Sequence, residues 1–252
     1  MRSHLYLYKK GVTYFMKYLM GKIADRIKEY YEKGEITNST FLDPSEIIEI
    51  MPALKNITYV LYGGYDDAER RIALIGTEDV EEASNFLSII RVSSHSGEKL
   101  SHRSILGSVL GLGVKREMMG DILIGNEYSD IIVLKSITEF LENNLKYVGR
   151  EKVKVQVVSL HELQEIQEET KEIRTSVSSL RLDSVISNGF GMAREKSTLL
   201  VKGEAVKLNH MIVKSPSKPV KEGDLISVRG KRKINDKRGF GANKKRKNKG
   251  YI

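Results

Sequence analysis

The sequence of 252 residues contains no cysteine and no tryptophan, and aromatic residues make up only 7% of it. Without cysteine, the protein has no disulfide bond, no thiolate metal site and no cysteine nucleophile. The low aromatic content indicates a core that is built mainly from aliphatic side chains. These absences are compatible with a reducing cytoplasm, where we expect the protein to reside.

Long apolar runs are also missing. No stretch reaches the ~18 apolar residues that a membrane-spanning helix needs. The start of the chain, MRSHLYLYKKGVTYFMKYLM, contains basic and apolar residues but no apolar region that ends in a small-residue cleavage site. The sequence therefore predicts neither a membrane span nor a signal peptide.

Positive charge is concentrated at one end of the chain. The net charge is +9, and the segment from Arg229 onward carries eleven basic residues and one acidic residue, Asp236. The remainder of the chain is nearly balanced. A basic terminus of this kind is typical of proteins that bind nucleic acid or another polyanion. A disordered, solubilising tail is the alternative explanation.

Three folded regions are predicted, and together they indicate an α+β protein. Residues 1–80 form an N-terminal α/β region. Within it, KYLMGKIADRIKEYYEKG has apolar residues at helical spacing, and Asp43 and Pro44 begin a second helix. Two strands joined by a Gly-Gly turn follow in ITYVLYGGYDDAERRIALIG.

Residues 81–160 carry a βαββαβ pattern. The strands are NFLSIIRV, MGDILI, SDIIVL and KVKVQVVSL, and the helices are SHRSILGSVLGLG and SITEFLENNL. This order predicts a ferredoxin-like, RRM-like domain. RRM domains that bind RNA stack bases on aromatic side chains of their central strands, and an aromatic ladder is lacking here. The fold alone therefore does not predict RNA binding by this region.

The third region follows an acidic and polar segment, residues 161–176, which we interpret as a linker. Residues 177–235 form a small domain, and residues 236–252 form a basic tail. Two short helices flank a Gly-Phe-Gly hinge in this domain. We expect each helix to have one apolar face, formed by Leu182, Val185 and Ile186 in the first helix and by Leu199, Leu200 and Val201 in the second.

The stretch RLDSVISNGFGMAREKSTLLVKGEAVKLNHMIVKSPSKPVKEGDLISVRG resembles the S4 domain, an RNA-binding module named after a small-subunit ribosomal protein. The matching features are the Arg-Leu-Asp start, an Ala-Arg at the second helix, a strand that ends in Asn209, and the closing EGDLISV. Three further segments are FLDP at 41–44, GGYDDAER at 63–70 and SHRSILGSVLGLGVKREMMGDI at 101–122. With them, the chain is similar over nearly its whole length to the bacterial YlmH family.

This resemblance implies a cytoplasmic protein that binds ribosomal RNA and transfer RNA on the large ribosomal subunit. It further implies a part in the rescue of stalled translation (ribosome-associated quality control), in which C-terminal tails are added to the stalled chain. Quality-control factors are then expected partners, and we expect a monomer. An association with cell division is also attached to the family. The chain departs from the family pattern at Ala193, which replaces a serine, at His210 and at Ser104.

The cations of the third region are candidate phosphate ligands. Arg194 and Lys196 lie in the first turn of the second helix, where N–H groups and the helix dipole favour an anion. Contacts of this kind give affinity and position rather than sequence recognition. We expect Asp183 to pair locally with an arginine or a backbone amide. The predicted RNA-binding residues are Arg181, Arg194, Lys196, Lys202, Lys207, Arg229, Lys231, Arg232 and Lys233. Ordinary solvent-exposed helix charges are the alternative.

A second candidate anion site lies in the middle region. Its residues are His102 and Arg103 at a predicted helix start, together with Lys115 and Arg116. A surface or capping pair without a ligand is the alternative interpretation.

The sequence offers little support for catalysis. The RLD at 181–183 is similar to the catalytic motif of pseudouridine synthases, but too few residues follow it for that catalytic domain. The glycines in GSVLGLGVKREMMG lack nucleotide-binding spacing, and the five histidines lack metal-ligand spacing. We therefore predict a non-enzymatic RNA-binding protein with no catalytic residue, metal or cofactor. The alternatives are an adaptor in cell division that uses its basic end as a tether and, third, an RNA-modifying enzyme.

Overall fold

The computed structural model describes residues 2–163, 174–177, 179–229, 233–235 and 249–251, and within the first helix it describes side chains from Lys17 onward. The chain folds as two units, Met1–Gln167 and Glu168–Ile252. Both units contain helices and strands, so the mixed α and β class predicted from the sequence is confirmed.

Most of the secondary structure belongs to the first unit. Its elements are α1 (Arg2–Lys33), β1 (Thr37–Asn38), α2 (Pro44–Leu54), β2 (Tyr59–Tyr62), β3 (Ile72–Ile75), β4 (Leu87–Ser94), α3 (His102–Gly111), β5 (Met119–Ile124), β6 (Ser129–Leu134), α4 (Thr138–Asn144), β7 (Tyr147–Val148) and β8 (Glu151–Val158). Helix α2 begins where the sequence predicts. The Asp43 carboxylate accepts from the N–H groups of Ser45 and Glu46, and Pro44 occupies the first helical position.

Two antiparallel sheets form the framework of this unit. Strands β1, β3 and β2 make a small sheet in that order, and β5, β6, β4, β8 and β7 make a larger one. The predicted βαββαβ succession is present, with β7 as an additional short strand. A ferredoxin-like arrangement of these elements stays a prediction.

Buried side chains connect the two regions that the sequence analysis treated as separate domains. One cluster joins Phe41 and Leu74 of the first region to Leu87, Ile132 and Leu134 of the second. Another fills the space between the large sheet and helices α3 and α4. The domain boundary between residues 1–80 and 81–160 stays a prediction. The buried side chains of the two regions share one cluster across it.

An ion pair lies within the large sheet. Asp130 on β6 is 0% exposed, and its two carboxylate oxygens accept from Nε and Nη2 of Arg91 at 2.8 and 2.9 Å. Nη2 of Arg91 also donates to the Glu162 carbonyl, and the guanidinium lies 4.0 Å from the centre of the Tyr128 ring. The hydrogen bonds to Asp130 raise the pKa of Arg91, which therefore remains charged.

The second unit is smaller and consists of a helix pair and short strands. Its elements are β9 (Arg174–Ser176), α5 (Leu182–Gly189), α6 (Arg194–Lys202), β10 (Val206–Leu208), β11 (Met211–Ile212), β12 (Leu225–Val228), β13 (Lys233–Asn235) and β14 (Lys249–Tyr251). Strands β11, β10, β12 and β13 form an antiparallel sheet in that order, and β9 pairs with β14. Strands β10 and β11 are joined by Asn209 and His210, both with positive φ, as a tight hairpin turn requires.

One expectation for this unit needs correction, and two predicted segments, whose bounds stay predictions, contain paired strands. Leu199 is 69% exposed, whereas Val201 is buried in the core, because three consecutive residues of a helix cannot share one face. The end of the predicted linker, Arg174–Ser176, is a strand that pairs with Lys249–Tyr251 of the predicted tail. The rest of the predicted tail, 236–248 and 252, lies outside the described residues.

Packing around Gly120 gives a test of the first unit. A Cβ atom at this position would lie 2.6 Å from the buried ring of Phe41. We expect Gly120→Ala to lower the free energy of unfolding by about 1–3 kcal/mol because the ring must shift within a filled core. Tyrosine fluorescence during urea unfolding measures this, since every tyrosine except Tyr251 precedes residue 168.

The matched control is Gly107→Ala on helix α3. Nothing lies within 4 Å of a Cβ at this exposed position, and alanine is favoured over glycine in a helix by about 0.5–1 kcal/mol. We therefore expect Gly107→Ala to be neutral or stabilising. Equal effects of the two variants would contradict the packing of Phe41 against Gly120.

Candidate nucleic-acid interface

A buried carboxylate organises the start of the helix pair in the second unit. Asp183, in the first turn of α5, is 4% exposed. Its oxygens accept from Nε and Nη2 of Arg181 at 3.2 and 3.3 Å and from Nε and Nη2 of Arg194 at 3.3 and 3.4 Å. These three residues form the Asp183 cluster. The local pairing that the sequence analysis expected for Asp183 is therefore present, with two arginines as partners.

The charge of Asp183 is stabilised by this arrangement. Burial by itself raises the pKa of a carboxyl group, but the hydrogen bonds and positive charges of Arg181 and Arg194 outweigh it and lower the pKa of Asp183. Asp183 is therefore ionised at neutral pH. One negative charge faces two positive charges, so the Asp183 cluster keeps a net positive charge.

Backbone and hydroxyl contacts fix the angle between α5 and α6. The buried Ser197 hydroxyl on α6 donates to the Asp183 carbonyl at 2.7 Å. Across the hinge, Met192 N–H donates to the Ser187 carbonyl, and the Ser187 hydroxyl donates to the Met192 carbonyl. Gly191 has a φ of 60°, a conformation that favours glycine. These contacts bring Arg194, at the start of α6, to the carboxylate on α5.

The predicted phosphate ligands of the helix pair remain accessible to solvent. The side chains of Arg181 and Arg194 are 45% and 51% exposed, so their outer N–H groups face solvent while Asp183 holds their inner edges. Lys196 is exposed in the first turn of α6. The N-cap residue Ala193 makes no side-chain capping bond, so the first-turn N–H groups of α6 have no side-chain partner there.

The strands present further cations. Lys207 is the exposed middle residue of β10, opposite Ser227 on β12, and Ser227 is opposite Lys233 on β13. The backbone of Lys233 therefore lies in register with Lys207 across three strands. Arg229 is exposed at the end of β12, and its N–H donates to the Ala205 carbonyl.

Lys202 is exposed at the end of α6. Lys231 and Arg232 lie outside the described residues. Within the part of the chain that the structure describes, none of Lys196, Lys202 and Lys207 forms an ion pair.

The structure adds a cation that the sequence analysis missed. Lys218 is exposed, and its carbonyl accepts from the Leu182 N–H at 2.9 Å, next to a backbone bridge between Arg181 and Pro219. The loop that carries Lys218 therefore lies beside the start of α5. Sequence offered no signal for this contact, because Lys218 lies in an irregular loop far along the chain from α5.

The residues of the second candidate anion site fall into two groups. The positive charge of Arg116 contributes to lowering the pKa of His102, after burial, so these two residues are close. Arg103 and Lys115 are exposed, and no described contact joins either side chain to the other two. Arg70, which the sequence analysis did not include, lies next to Arg116.

The described residues contain no group of three or more His, Cys, Asp or Glu side chains that could hold a metal ion. Across the same residues, the structure contains no helix that is long and apolar enough to span a membrane.

Comparison with known proteins finds a matching sequence family, two similar named proteins and a similar solved structure. Residues 86–162 match a sequence family described as "Putative RNA-binding domain in YlmH". The chain is 33% identical over 205 residues to "Ribosome-associated protein quality control protein P2" of Bacillus subtilis (strain 168), and the match covers 79% of each chain. It is 40% identical over 65 residues to "Small ribosomal subunit protein uS4" of Neisseria meningitidis, covering 25% of this chain and 32% of that protein. A solved structure named "Cell division protein ylmH from Streptococcus pneumoniae" aligns with a TM-score of 0.48 and 20% identity over 58% of this chain and 92% of that chain.

The contribution of the Asp183 cluster to the stability of the second unit can be tested by removing the charge of Asp183. We expect Asp183→Asn to destabilise α5 and α6 by about 1–2 kcal/mol at pH 7. This loss is smaller than for a fully buried ion pair, because both arginines are half-exposed and solvent screens their charge. The folded-state pKa of Asp183 is lowered, so the stabilisation is present above about pH 4 and is lost as the pH falls below it. Amide hydrogen exchange of α5 and α6 in the full chain measures the difference.

Glu222→Gln is the matched control, because Glu222 is an exposed acid in a turn of the same unit. We expect this change to leave the exchange of α5 and α6 unaltered. A wild-type advantage over Asp183→Asn that did not diminish between pH 7 and pH 2 would contradict the assignment of an ionised Asp183.

Proposed function

The chain belongs to the YlmH family, and from this premise we propose that it binds RNA on the large ribosomal subunit during the rescue of stalled translation. The proposed ligands are ribosomal RNA and transfer RNA, and the chemistry is binding rather than catalysis. The observation that carries the proposal is the net positive Asp183 cluster at the start of the helix pair.

The geometry of the Asp183 cluster suits phosphate. A guanidinium presents five N–H donors in a planar fork that matches phosphate oxygens. Asp183 accepts from Nε and one terminal nitrogen of each arginine, which leaves the opposite edges for a ligand. An arginine that is already oriented loses less conformational entropy when it binds. The first-turn N–H groups of α6 add favourable electrostatics for an anion.

The surrounding lysines extend this surface. Lys196, Lys202 and Lys207 carry exposed ammonium groups, and Lys218 lies next to Arg181. A surface of this kind contacts phosphates and 2′-hydroxyls and distinguishes RNA by shape rather than by base sequence. Structured RNA is therefore the proposed ligand class of the second unit.

The ribosomal setting of the proposal is supported by the relatives. The Bacillus subtilis protein is named for ribosome-associated quality control, and the match spans most of both chains. We extend that role to this chain, with quality-control factors as further partners, a monomeric state and a cytoplasmic location. The step of rescue, including addition of C-terminal tails, belongs to the proposal as well.

Lys207 gives the cleanest test of the RNA surface, because its substitution leaves the Asp183 cluster intact. We expect Lys207→Ala to weaken binding to ribosomal RNA and to reduce the slope of log K against log salt by about 1, since one phosphate contact is lost. Fluorescence anisotropy at several salt concentrations measures both quantities.

The matched control is Lys214→Ala, which changes the net charge by the same amount. The Lys214 ammonium lies 2.7 Å from the Glu204 carboxylate, so its charge is already compensated in the folded protein. We expect a smaller loss of affinity and no change in the salt slope. Equal losses in both variants would show a response to net charge alone and would remove Lys207 from the surface.

Sedimentation tests the ribosomal part of the proposal separately. We expect the wild-type chain to travel with large ribosomal subunits in a sucrose gradient and the Lys196→Ala/Lys207→Ala variant to remain near the top, because two phosphate contacts are lost. Circular dichroism checks that the variant is folded. A partner that stays bound after ribonuclease treatment while the ribosomal association is absent would favour a protein adaptor instead.

A further inference from the structure

Two arginine side chains of the first unit meet at one backbone carbonyl. Arg70 precedes β3, and Arg116 begins a single 3₁₀ turn, Arg116–Met118, before β5. Nε of Arg70 and Nη1 of Arg116 donate to the Met119 carbonyl oxygen at 3.2 and 2.7 Å. The two guanidinium groups, both half-buried, therefore lie side by side. We call Arg70 and Arg116 the arginine pair.

The arginine pair bonds to carbonyl groups rather than to carboxylates. Nη1 of Arg116 also donates to the Gly120 carbonyl at 3.0 Å, and Nη2 of Arg70 donates to the Phe41 carbonyl at 3.0 Å. Among the described residues, neither guanidinium takes part in an ion pair. Carbonyl oxygens orient the guanidinium groups but carry no full negative charge. With five donors on each group, several N–H bonds remain for a ligand.

One acidic side chain of this region, Asp121, accepts hydrogen bonds from the turn that precedes β3. Its Oδ2 accepts from the Tyr65 hydroxyl at 3.0 Å and the Glu69 N–H at 2.7 Å, and its Oδ1 accepts from the Arg70 N–H at 3.2 Å. Burial and the charge of Arg70 lower the pKa of Arg116 to about 10, although Asp121 and Glu69 oppose the change. The Asp121 carboxylate is thus engaged by the Tyr65 hydroxyl and by two backbone N–H groups rather than by either guanidinium.

The charges around the arginine pair also act on His102 at the start of helix α3. His102 is the first residue of α3, and the N-cap hydroxyl of Ser101 accepts from the Ser104 N–H at 3.1 Å. Burial and the positive charge of Arg116 lower the pKa of His102, whereas Asp121 and Glu69 raise it. Its imidazole is therefore neutral at physiological pH and retains one N–H donor.

We propose that Arg70, Arg116 and His102 form a phosphate-binding site on the first unit, and that a backbone phosphate of RNA is its ligand. Adjacent guanidinium groups bind phosphate oxygens through charge-assisted hydrogen bonds, and a helix start adds favourable N–H groups. The proposed site thus includes Arg70, which the sequence analysis did not name, and it does not include Arg103 and Lys115. The choice of RNA rests on the proposed function, whereas the phosphate chemistry rests on the first unit alone.

His102→Glu tests the site without removing the carbonyl contacts of the arginine pair. An acidic residue in the first turn of an exposed helix is favourable, and its negative charge would act on Arg116, whose positive charge acts on His102 in the wild type. With inorganic phosphate as the probe, arginine Nε signals of the full chain are followed by NMR at pH 8. We expect saturable shifts of Arg70 and Arg116 in the wild type and an affinity at least about tenfold lower in the variant.

Gly107→Glu is the matched control, since it adds the same charge to an open position of the same helix. We expect its phosphate affinity to change by less than about twofold because the position is solvent-exposed and screened. Equal phosphate binding by the wild type and His102→Glu overturns the site. Equal losses in His102→Glu and Gly107→Glu also overturn it, because only net charge would then matter.

A competition experiment separates RNA from other sources of phosphate. In the Lys207→Ala background, we expect a short oligouridylate to displace inorganic phosphate from the arginine pair and to bind less well once His102→Glu is added. Displacement by a nucleoside monophosphate but not by the oligouridylate overturns the assignment to RNA. The NMR signals of Arg70 and Arg116 report on the first unit alone. If the second-unit surface does not bind RNA, these signals still show whether the arginine pair binds phosphate.

Discussion

Asp183 places a carboxylate inside the second unit, and a carboxylate removed from water must be paired if it is to stay ionised. Its two partners lie at the starts of the two helices, Arg181 just before α5 and Arg194 at the start of α6. The same contacts that satisfy the buried charge therefore fix the angle between the helices. They also fix the positions of two guanidinium groups at the surface, so that folding and the presentation of cations depend on one interaction.

Three arginine arrangements in the chain differ in how much negative charge faces them. Arg91 forms an ion pair with the fully buried Asp130 within the large sheet, so the charge of Arg91 is compensated inside the protein. The Asp183 cluster has two arginines for one carboxylate and keeps one positive charge. The arginine pair of the first unit donates to backbone carbonyls and forms no ion pair with the described residues. The groups that the guanidinium N–H donors face, rather than the number of arginines, thus distinguish the structural ion pair from the two surfaces that we propose for anions.

Local signals in the sequence predicted the parts of the fold that depend on near neighbours. The cap of α2 by Asp43 and the pairing of Asp183 with an arginine both follow from residues close along the chain. Lys218 and Arg70 were missed because the backbone brings them to their sites from distant segments, through carbonyl contacts that leave no residue pattern. Leu199 was misplaced because three consecutive apolar residues suggest a face that helical geometry does not allow. The elements were therefore more predictable than the composition of either site.

The two anion-binding surfaces that we propose lie on separate units, and this has a consequence for the affinity for RNA. Each surface offers only a few phosphate contacts, and a few exposed contacts give weak, salt-sensitive binding. When one RNA engages both, the second contact forms at the effective concentration set by the connecting segment, and affinity rises without any new interaction. Loss of either surface then weakens binding by far more than its own contacts would in isolation. Weak individual sites joined in this way also release RNA readily when one of them is displaced, because the remaining site binds weakly by itself.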